Sequence, residues 1–322
     1  MIKLNYKLPQ KQLECKYLKA LYSSRFESKN GKTVKQKFDE LKLKYPFNVI
    51  FFDISFVDII FVKPENLKCL INKIELRIIE QSKIKYKEIK KKKTFIYAVK
   101  DELEEILKYE NKFQSPISKF FEKSLETRTC YFCNIHFVNE YKIDDENYQN
   151  EFTLDHYYDK ASYPYLALSL YNLIPSCYTC NSKLKKTKEL NVLAPNSQNF
   201  DFHQKIKFKL FLEPSYKNLH IKSKDDIDIP LKEQFSDIYT KYIEIFKLNE
   251  RYKAHKDLVY EMIQKAELYP ESRLKELQNL TGIPFQQIKK DIFNLIDENE
   301  DLSKKPFSKL IKDISEELGL IK

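Results

Sequence analysis

A chain of 322 residues can bury a substantial core, and its 42% of apolar and 14% of aromatic residues exclude a disordered polypeptide. No apolar run reaches membrane-spanning length and the first residues lack the apolar segment of a secretory signal, so we expect a cytoplasmic protein with no membrane partner. The formal charge of +10 favours a polyanionic partner, although a need for solubility explains it equally well.

The kind of basic residue is more informative than the charge. Only five of the 57 basic residues are arginine, and the rest are lysine. Arginine reads guanine edges through two parallel hydrogen bonds, whereas lysine meets phosphate as a point charge. A nucleic-acid partner would therefore be bound through its backbone with modest sequence preference, although a genome rich in A and T gives the same lysine bias. With only three glycines, the chain has no glycine-rich phosphate loop, which disfavours nucleoside triphosphate hydrolysis.

Residues 1–125 mix short apolar runs with helical patterns and contain no motif that indicates a chemistry, so their role stays open. A helix is predicted to begin near Pro64, because apolar residues recur at helical spacing after it. Residues 99–109 and 117–125 are also predicted to be helical, and they lead into the first pair of cysteines.

Residues 126–195 contain four of the six cysteines, arranged as two CxxC pairs. Cys130 and Cys133 form the first pair, and Cys177 and Cys180 form the second. A two-residue gap lets both thiolates of a pair bind one ion, and two pairs complete a tetrahedron with no open position. In a reducing compartment this pattern predicts a structural zinc site, and four unliganded core cysteines are the alternative.

Acidic, histidine and amide side chains lie between and after these pairs. Asp155 and His156 stand side by side at the predicted end of a strand. Asn172 lies shortly before the second cysteine pair, and Asn181 follows it directly. Asn181 opens a basic segment that is predicted to be helical. Its lysines are candidates for contact with a phosphate backbone: Lys183, Lys185, Lys186 and Lys188.

Residues 196–322 contain no catalytic motif. The alternation of residues 200–212 predicts a half-buried strand, and from Leu231 onward apolar residues at helical spacing predict a series of amphipathic helices. The expected fold class is therefore α+β and mostly helical. It is divided into an N-terminal region, a central cysteine-containing core and a C-terminal region of short strands followed by helices.

The central segment resembles a known family. Its CYFC, LDH, YNLIPSC and CN elements are similar, in order and spacing, to those of the HNH endonucleases, also called ββα-metal or His-Me finger nucleases, in the subgroup with two zinc-binding CxxC pairs. The similarity covers roughly residues 128–190. More loosely, the sequence around these motifs is similar to that of HNH proteins of bacterial antiphage defence systems. The resemblance implies a small zinc-stapled ββα-metal core flanked by the other two regions.

The resemblance also implies roles for the central residues. His156 corresponds to the general base that takes a proton from the attacking water. Asp155 and Asn181 correspond to the ligands of a catalytic Mg²⁺ or Mn²⁺ ion, whose hard character matches their oxygen atoms. Asn172 corresponds to the asparagine that holds the loop bearing the base. Zinc is expected at the sulfur site alone.

The resulting hypothesis is hydrolysis of phosphodiester bonds in DNA. Two alternatives stay open: an RNA-cleaving nuclease, because the same site acts on either backbone, and a zinc-stabilised nucleic-acid-binding module without catalysis. The binding module does not require Asp155, His156 or Asn181. By analogy with defence operons, the C-terminal helices are expected to dock on the catalytic core or on an ATPase partner.

Overall fold

In the computed structural model, the residues described are 1–22, 31–85, 92–125, 128–142, 148–212, 221–233, 236–297 and 300–321. The α-helices are α1 (Gln10–Tyr22), α2 (Val34–Lys42), α3 (Phe47–Ile50), α4 (Phe56–Ile60), α5 (Leu67–Lys85), α6 (Lys92–Ile106), α7 (Gln114–Ser124), α8 (Phe202–Lys205), α9 (Thr240–Ile245), α10 (Leu248–Lys253), α11 (Lys256–Leu268), α12 (Glu271–Thr281), α13 (Phe285–Phe293) and α14 (Ser308–Glu317). The strands are β1 (Glu140–Lys142), β2 (Tyr148–Asn150), β3 (Thr153–His156), β4 (Leu173–Ser176), β5 (Ile206–Phe208), β6 (Phe211–Leu212), β7 (Ile227–Asp228) and β8 (Leu231–Glu233). The predicted α+β, mostly helical class is confirmed.

The N-terminal region is helical, as predicted at three places. A short 3₁₀ turn at Pro64–Asn66 leads into α5. Helix α6 covers the predicted segment 99–109 up to Ile106, and α7 covers the segment 117–125 up to Ser124. Hydrogen bonds fix where two further helices begin. In front of α2, Thr33 and Gln36 cap each other reciprocally, and Ser55 and Asp58 do the same for α4, so backbone N–H groups that lack a helical partner are satisfied.

The strands form four antiparallel pairs. The pair β3–β4 lies at the centre of the predicted catalytic segment, and its register places Asp155 opposite Ile174 and His156 opposite Leu173. The antiparallel pair β1–β2 lies within the insertion that separates the first CxxC pair from β3. The remaining pairs, β5–β8 and β6–β7, lie in the C-terminal region.

Buried side chains from all three predicted regions belong to one contiguous hydrophobic core. It extends in sequence from Met1 to Ile314 and includes the four CxxC cysteines. A second, smaller cluster packs around Leu274, Ile288 and Phe293 on α12 and α13. Among the described residues, no helix is both long enough and apolar enough to cross a membrane.

The C-terminal region differs from the prediction at two points. The segment 200–212 is not one strand, because α8 occupies its first part and only the residues from Ile206 onward are extended. The helices begin at Thr240 rather than at Leu231, because Leu231 pairs with Phe208 in the β5–β8 ladder. The pairing of Leu231 with Phe208 decided the second point, and a local sequence pattern does not contain that information.

Candidate functional site

The four cysteines of the CxxC pairs converge on one point inside the protein. All are buried, their sulfur atoms lie within 4.8 Å of one another, and Cys133 Sγ and Cys177 Sγ are 3.9 Å apart. Zinc–sulfur bonds of about 2.3 Å in a tetrahedron require sulfur atoms at about this spacing. The cluster can therefore hold a zinc ion, and within the described part of the chain it is the one group of His, Cys, Asp and Glu side chains arranged for a metal.

Backbone hydrogen bonds fold the first pair into a tight loop. Asn134 N donates to Cys130 O, and Asn134 adopts a left-handed conformation with φ of 53°. The Asn134 side chain is fully buried: its Nδ2 donates to Lys305 O at 3.0 Å, and its Oδ1 accepts from Lys309 N at 3.0 Å. Asparagine tolerates this conformation better than most residues. A single side chain thus joins the cysteine loop to the end of the chain.

The C-terminal helices also approach the cysteines directly. Arg251 Nη1 donates to Cys180 Sγ at 3.4 Å, and Tyr252 Oη donates to Cys133 O at 2.7 Å. Sequence reasoning missed these residues and Asn134, because each contact between the C-terminal region and the cysteine loops joins residues more than 70 positions apart.

The β3–β4 pair and the helical turn after the second cysteine pair hold the predicted catalytic residues. Residues Thr179–Lys185 form a wide, π-type helical turn, so the predicted helix after Cys180 is present only as far as Lys185. This turn packs along β3. Asn181 Nδ2 donates to Thr153 Oγ1 at 2.9 Å, and one turn later Lys185 Nζ lies 3.0 Å from Asp155 Oδ2. The structure thus brings Asp155 and Asn181 to the same side of β3.

His156 is buried and held in one orientation. Its Nε2 lies 2.9 Å from Ala167 O, and the Tyr109 ring meets it edge-on at 4.7 Å between centroids. Because a carbonyl oxygen only accepts, Nε2 carries the proton of the neutral ring and the lone pair lies on Nδ1. Burial lowers the pKa of His156 from 6.5 to about 4, so the ring is neutral near pH 7.

Asn172 joins the loop after β3 to the turn that contacts His156. Its Nδ2 donates to Tyr158 O at 3.0 Å and to Leu166 O at 3.2 Å, and its Oδ1 accepts from Tyr158 N at 2.8 Å. Leu166 immediately precedes Ala167, whose carbonyl fixes the His156 ring. All polar atoms of this fully buried amide are therefore used to hold the surroundings of the histidine.

The four predicted phosphate-contacting lysines separate into two groups. Lys183, Lys186 and Lys188 are exposed. Lys185 is not: its side chain is 0% exposed, and its Nζ donates to His156 O at 2.8 Å in addition to pairing with Asp155. The wide turn directs this residue towards β3 instead of solvent. In this arrangement Lys185 cannot touch a phosphate.

Asp155 is buried with Lys185 as its charge partner. Burial raises the pKa of Asp155 to about 6, although the ammonium of Lys185 opposes this rise. Lys185 lies against Asp155 Oδ2, and among the described residues no aligned hydrogen bond reaches this atom. The carboxylate oxygen of Asp155 and the amide oxygen of Asn181 are ligand types that suit Mg²⁺ or Mn²⁺. A hydrated divalent cation nevertheless does not fit beside Asp155 while the Lys185 ammonium is in place.

A segment of the N-terminal region covers the same site. Residues Tyr109–Phe113 form another wide helical turn, and besides the ring contact with His156 this turn contributes Glu110, which forms an ion pair with Lys160. Lys160 Nζ also lies 5.6 Å from the centre of the Tyr109 ring. The Tyr109 ring thus contributes to the burial of His156, which is only 8% exposed.

Comparison of the chain with protein-family models, with curated proteins and with solved structures finds no match.

Proposed function

We propose that this protein is an HNH-type endonuclease that hydrolyses phosphodiester bonds, with DNA as its substrate. The observation that carries the proposal is the state of His156. Ala167 O holds the proton on Nε2, so Nδ1 presents a lone pair near pH 7 and can take a proton from a water molecule that attacks phosphorus.

Asn172 acts as the positioning residue in this scheme. Its three hydrogen bonds hold the strand end and the turn that orient the imidazole, which is the task that the resemblance assigns to it. It does not touch the substrate. Preorganised orientation of a base contributes to the rate because little reorganisation remains in the transition state.

We further propose that zinc in the four-cysteine cluster is structural. Four sulfur ligands leave no position for water, so the ion stabilises the fold and does no chemistry itself. The ion joins the loop of the first CxxC pair to the helical turn after β4, and it thereby fixes the position of Asn181 relative to β3.

The expected catalytic cation, Mg²⁺ or Mn²⁺, belongs to the proposal through Asp155 and Asn181. In the structure, however, Lys185 occupies the space beside Asp155. Lys183, Lys186 and Lys188 remain candidates for backbone contact, and the charge of +10 agrees with a polyanionic substrate. An ATPase partner and a role in antiphage defence also remain predictions, and co-purification with an operon-encoded ATPase would test the former.

The deciding experiment is plasmid cleavage by the wild-type protein and by His156→Ala, with Mg²⁺, with Mn²⁺ and with no added cation. The matched control is His203→Ala, because burial also lowers the pKa of His203 to about 4 but this histidine lies outside the motif. We expect cation-dependent nicking or linearisation that His156→Ala loses and His203→Ala keeps. Cleavage of RNA but not DNA by the same set would move the substrate assignment, and binding without any cleavage would favour the non-catalytic module.

A further inference from the structure

The Lys185 ammonium lies against the carboxylate of Asp155, which is proposed as a metal ligand. It is 3.0 Å from Asp155 Oδ2 and 2.8 Å from His156 O, and the ring of Tyr157 lies 6.0 Å away. The lysine is therefore surrounded by a carboxylate, a carbonyl and an aromatic face, which are all groups that attract a cation.

A lysine is rarely buried completely, because removing an ammonium from water is costly unless a counter-charge compensates. Here Asp155 is that counter-charge. Asn181, four residues before Lys185, faces Thr153 on the same strand. On this face of the turn, Asn181 is thus a proposed metal ligand and Lys185 is an internal cation.

We propose that Lys185 is a built-in inhibitory cation: it competes with a divalent cation for Asp155, and the metal binds only when Lys185 leaves. The inference rests on the proposed function and deepens it. An ammonium and a divalent ion cannot share one carboxylate oxygen at this distance, because their repulsion in a buried site is large. The two occupants exclude each other, so the nuclease is held inactive until Lys185 moves.

The local backbone gives Lys185 a way to move. The turn at Thr179–Lys185 is of the π type, with Lys186 N donating to Asn181 O at 2.8 Å, and it ends at Lys186 with φ of 52°. Single π-type turns are rare and occur frequently at functional sites. Return to ordinary α-helical hydrogen bonding would rotate Lys185 relative to Asn181, which would free the carboxylate while the amide stays beside β3.

The test measures binding of Mn²⁺ alone, without nucleic acid, to zinc-loaded wild type and Lys185→Met. We expect Lys185→Met to bind Mn²⁺ more tightly by at least about ten-fold, because one positive charge is removed from the site. The gain should vanish in Lys185→Met/Asp155→Asn. Lys309→Met is the matched control, because Lys309 is equally buried and lies 2.8 Å from Asp313 Oδ2. A folded Lys185→Met that binds no tighter than wild type, or an equal gain in Lys309→Met, would overturn the proposal.

A second measurement uses the wild-type protein, so it does not depend on whether a variant folds. Lysines are acetylated with an amine-reactive ester with and without saturating Mn²⁺, and modification of Lys185 is quantified by peptide mass spectrometry. We expect protection without Mn²⁺ and several-fold more modification with it. Protection that persists in saturating Mn²⁺ contradicts the displacement of Lys185. If this protection persists while the wild type cleaves DNA, the inhibitory role of Lys185 is refuted and the proposed nuclease activity is not. If no variant binds Mn²⁺ and none cleaves DNA, both proposals are refuted.

Discussion

Arg251 Nη1 donates to Cys180 Sγ at 3.4 Å, so a cation from the C-terminal helices faces a sulfur of the four-cysteine cluster. A zinc ion with four thiolates carries two excess negative charges. The Arg251 guanidinium is half-buried, and its other terminal nitrogen, Nη2, is buried without a partner among the described residues. Electrostatic attraction to the cluster therefore explains the position of Arg251 better than its hydrogen bonds do.

We predict that Arg251→Met weakens zinc retention by on the order of ten-fold, because partners of metal ligands contribute 10–100-fold to affinity. The measurement is a competition titration with a chromogenic chelator at pH 7. Arg273→Met is the control. Arg273 is exposed, donates to Leu268 O and lies far from the cysteines in sequence. Equal zinc affinity in all three proteins would contradict the assigned role of Arg251.

Removal of one ligand should affect the fold far more than removal of Arg251. Cys177→Ser leaves three thiolates, and binding of structural zinc supplies free energy on the order of 10 kcal/mol to folding. We predict loss of bound zinc and a strongly lowered unfolding temperature, measured by metal analysis and by thermal circular dichroism. Cys15→Ser, which changes an exposed cysteine outside the cluster, should resemble the wild type. Retained zinc and an unchanged unfolding temperature in Cys177→Ser would refute a structural zinc site.

The sequence predicted those parts of the site that depend on short spacing. Two residues between cysteines predicted that the thiolates meet, and the four sulfur atoms do cluster. The strand that ends at His156 and the helix after Cys180 were also predicted. In each case the signal lies within a few residues, so local geometry is sufficient to produce it.

The burial of Lys185 was not predictable in the same way. A stretch of alternating lysines has no periodicity that separates an inward from an outward side chain, and the wide turn shifts the angular position of every residue after Cys180. The contacts of Asn134 and Arg251 were equally hidden, because they depend on where the C-terminal helices pack. Tertiary packing of distant segments, which a single sequence does not display, decides these positions.

The role of Asn172 can be separated from substrate binding. Asn172→Asp keeps one acceptor but removes both donated hydrogen bonds and places a carboxylate against the carbonyls of Tyr158 and Leu166. We predict a fall in the maximal cleavage rate of about 100-fold, since small displacements of a catalytic base have effects of that size. The dissociation constant for DNA, measured without divalent cation, should stay within about two-fold of wild type, because Asn172 does not touch the substrate.

Asn196→Ala serves as the control for that experiment, because Asn196 also donates a side-chain hydrogen bond to a backbone carbonyl, that of Tyr171, outside the predicted catalytic set. An Asn172→Asp protein that cleaves as fast as Asn196→Ala would show that the loop does not need this asparagine.

The exposed lysines after Asn181 should contribute to salt-dependent binding. We predict that the triple change of Lys183, Lys186 and Lys188 to Gln lowers the slope of log K against log salt by about one unit for each lysine that meets a phosphate. Fluorescence anisotropy with a labelled duplex and no divalent cation measures it. The matched triple change uses three exposed lysines of α1: Lys11, Lys16 and Lys19. Equal loss of slope in both triples would indicate diffuse attraction instead of a defined contact.

The stability of the protein should depend on pH through His156. Its pKa is about 4 in the folded protein and 6.5 otherwise, so between these values the unfolded chain binds more protons and unfolding becomes easier as pH falls. From pH 7 to pH 5 this one histidine should cost about 2 kcal/mol of unfolding free energy. Asp155, whose pKa is raised to about 6, acts in the opposite sense over its own range, and His203 adds a loss of its own.

The contribution of His156 is therefore obtained as a difference between two proteins. His156→Gln keeps a donor for Ala167 O but does not titrate, so its unfolding free energy should fall less steeply from pH 7 to pH 5 than that of the wild type. Urea denaturation of both proteins at the two pH values gives the four numbers required. Parallel losses in the two proteins would mean that His156 titrates with an ordinary pKa. In that case the ring would be solvated in the folded state, and the argument for a buried neutral base would be lost.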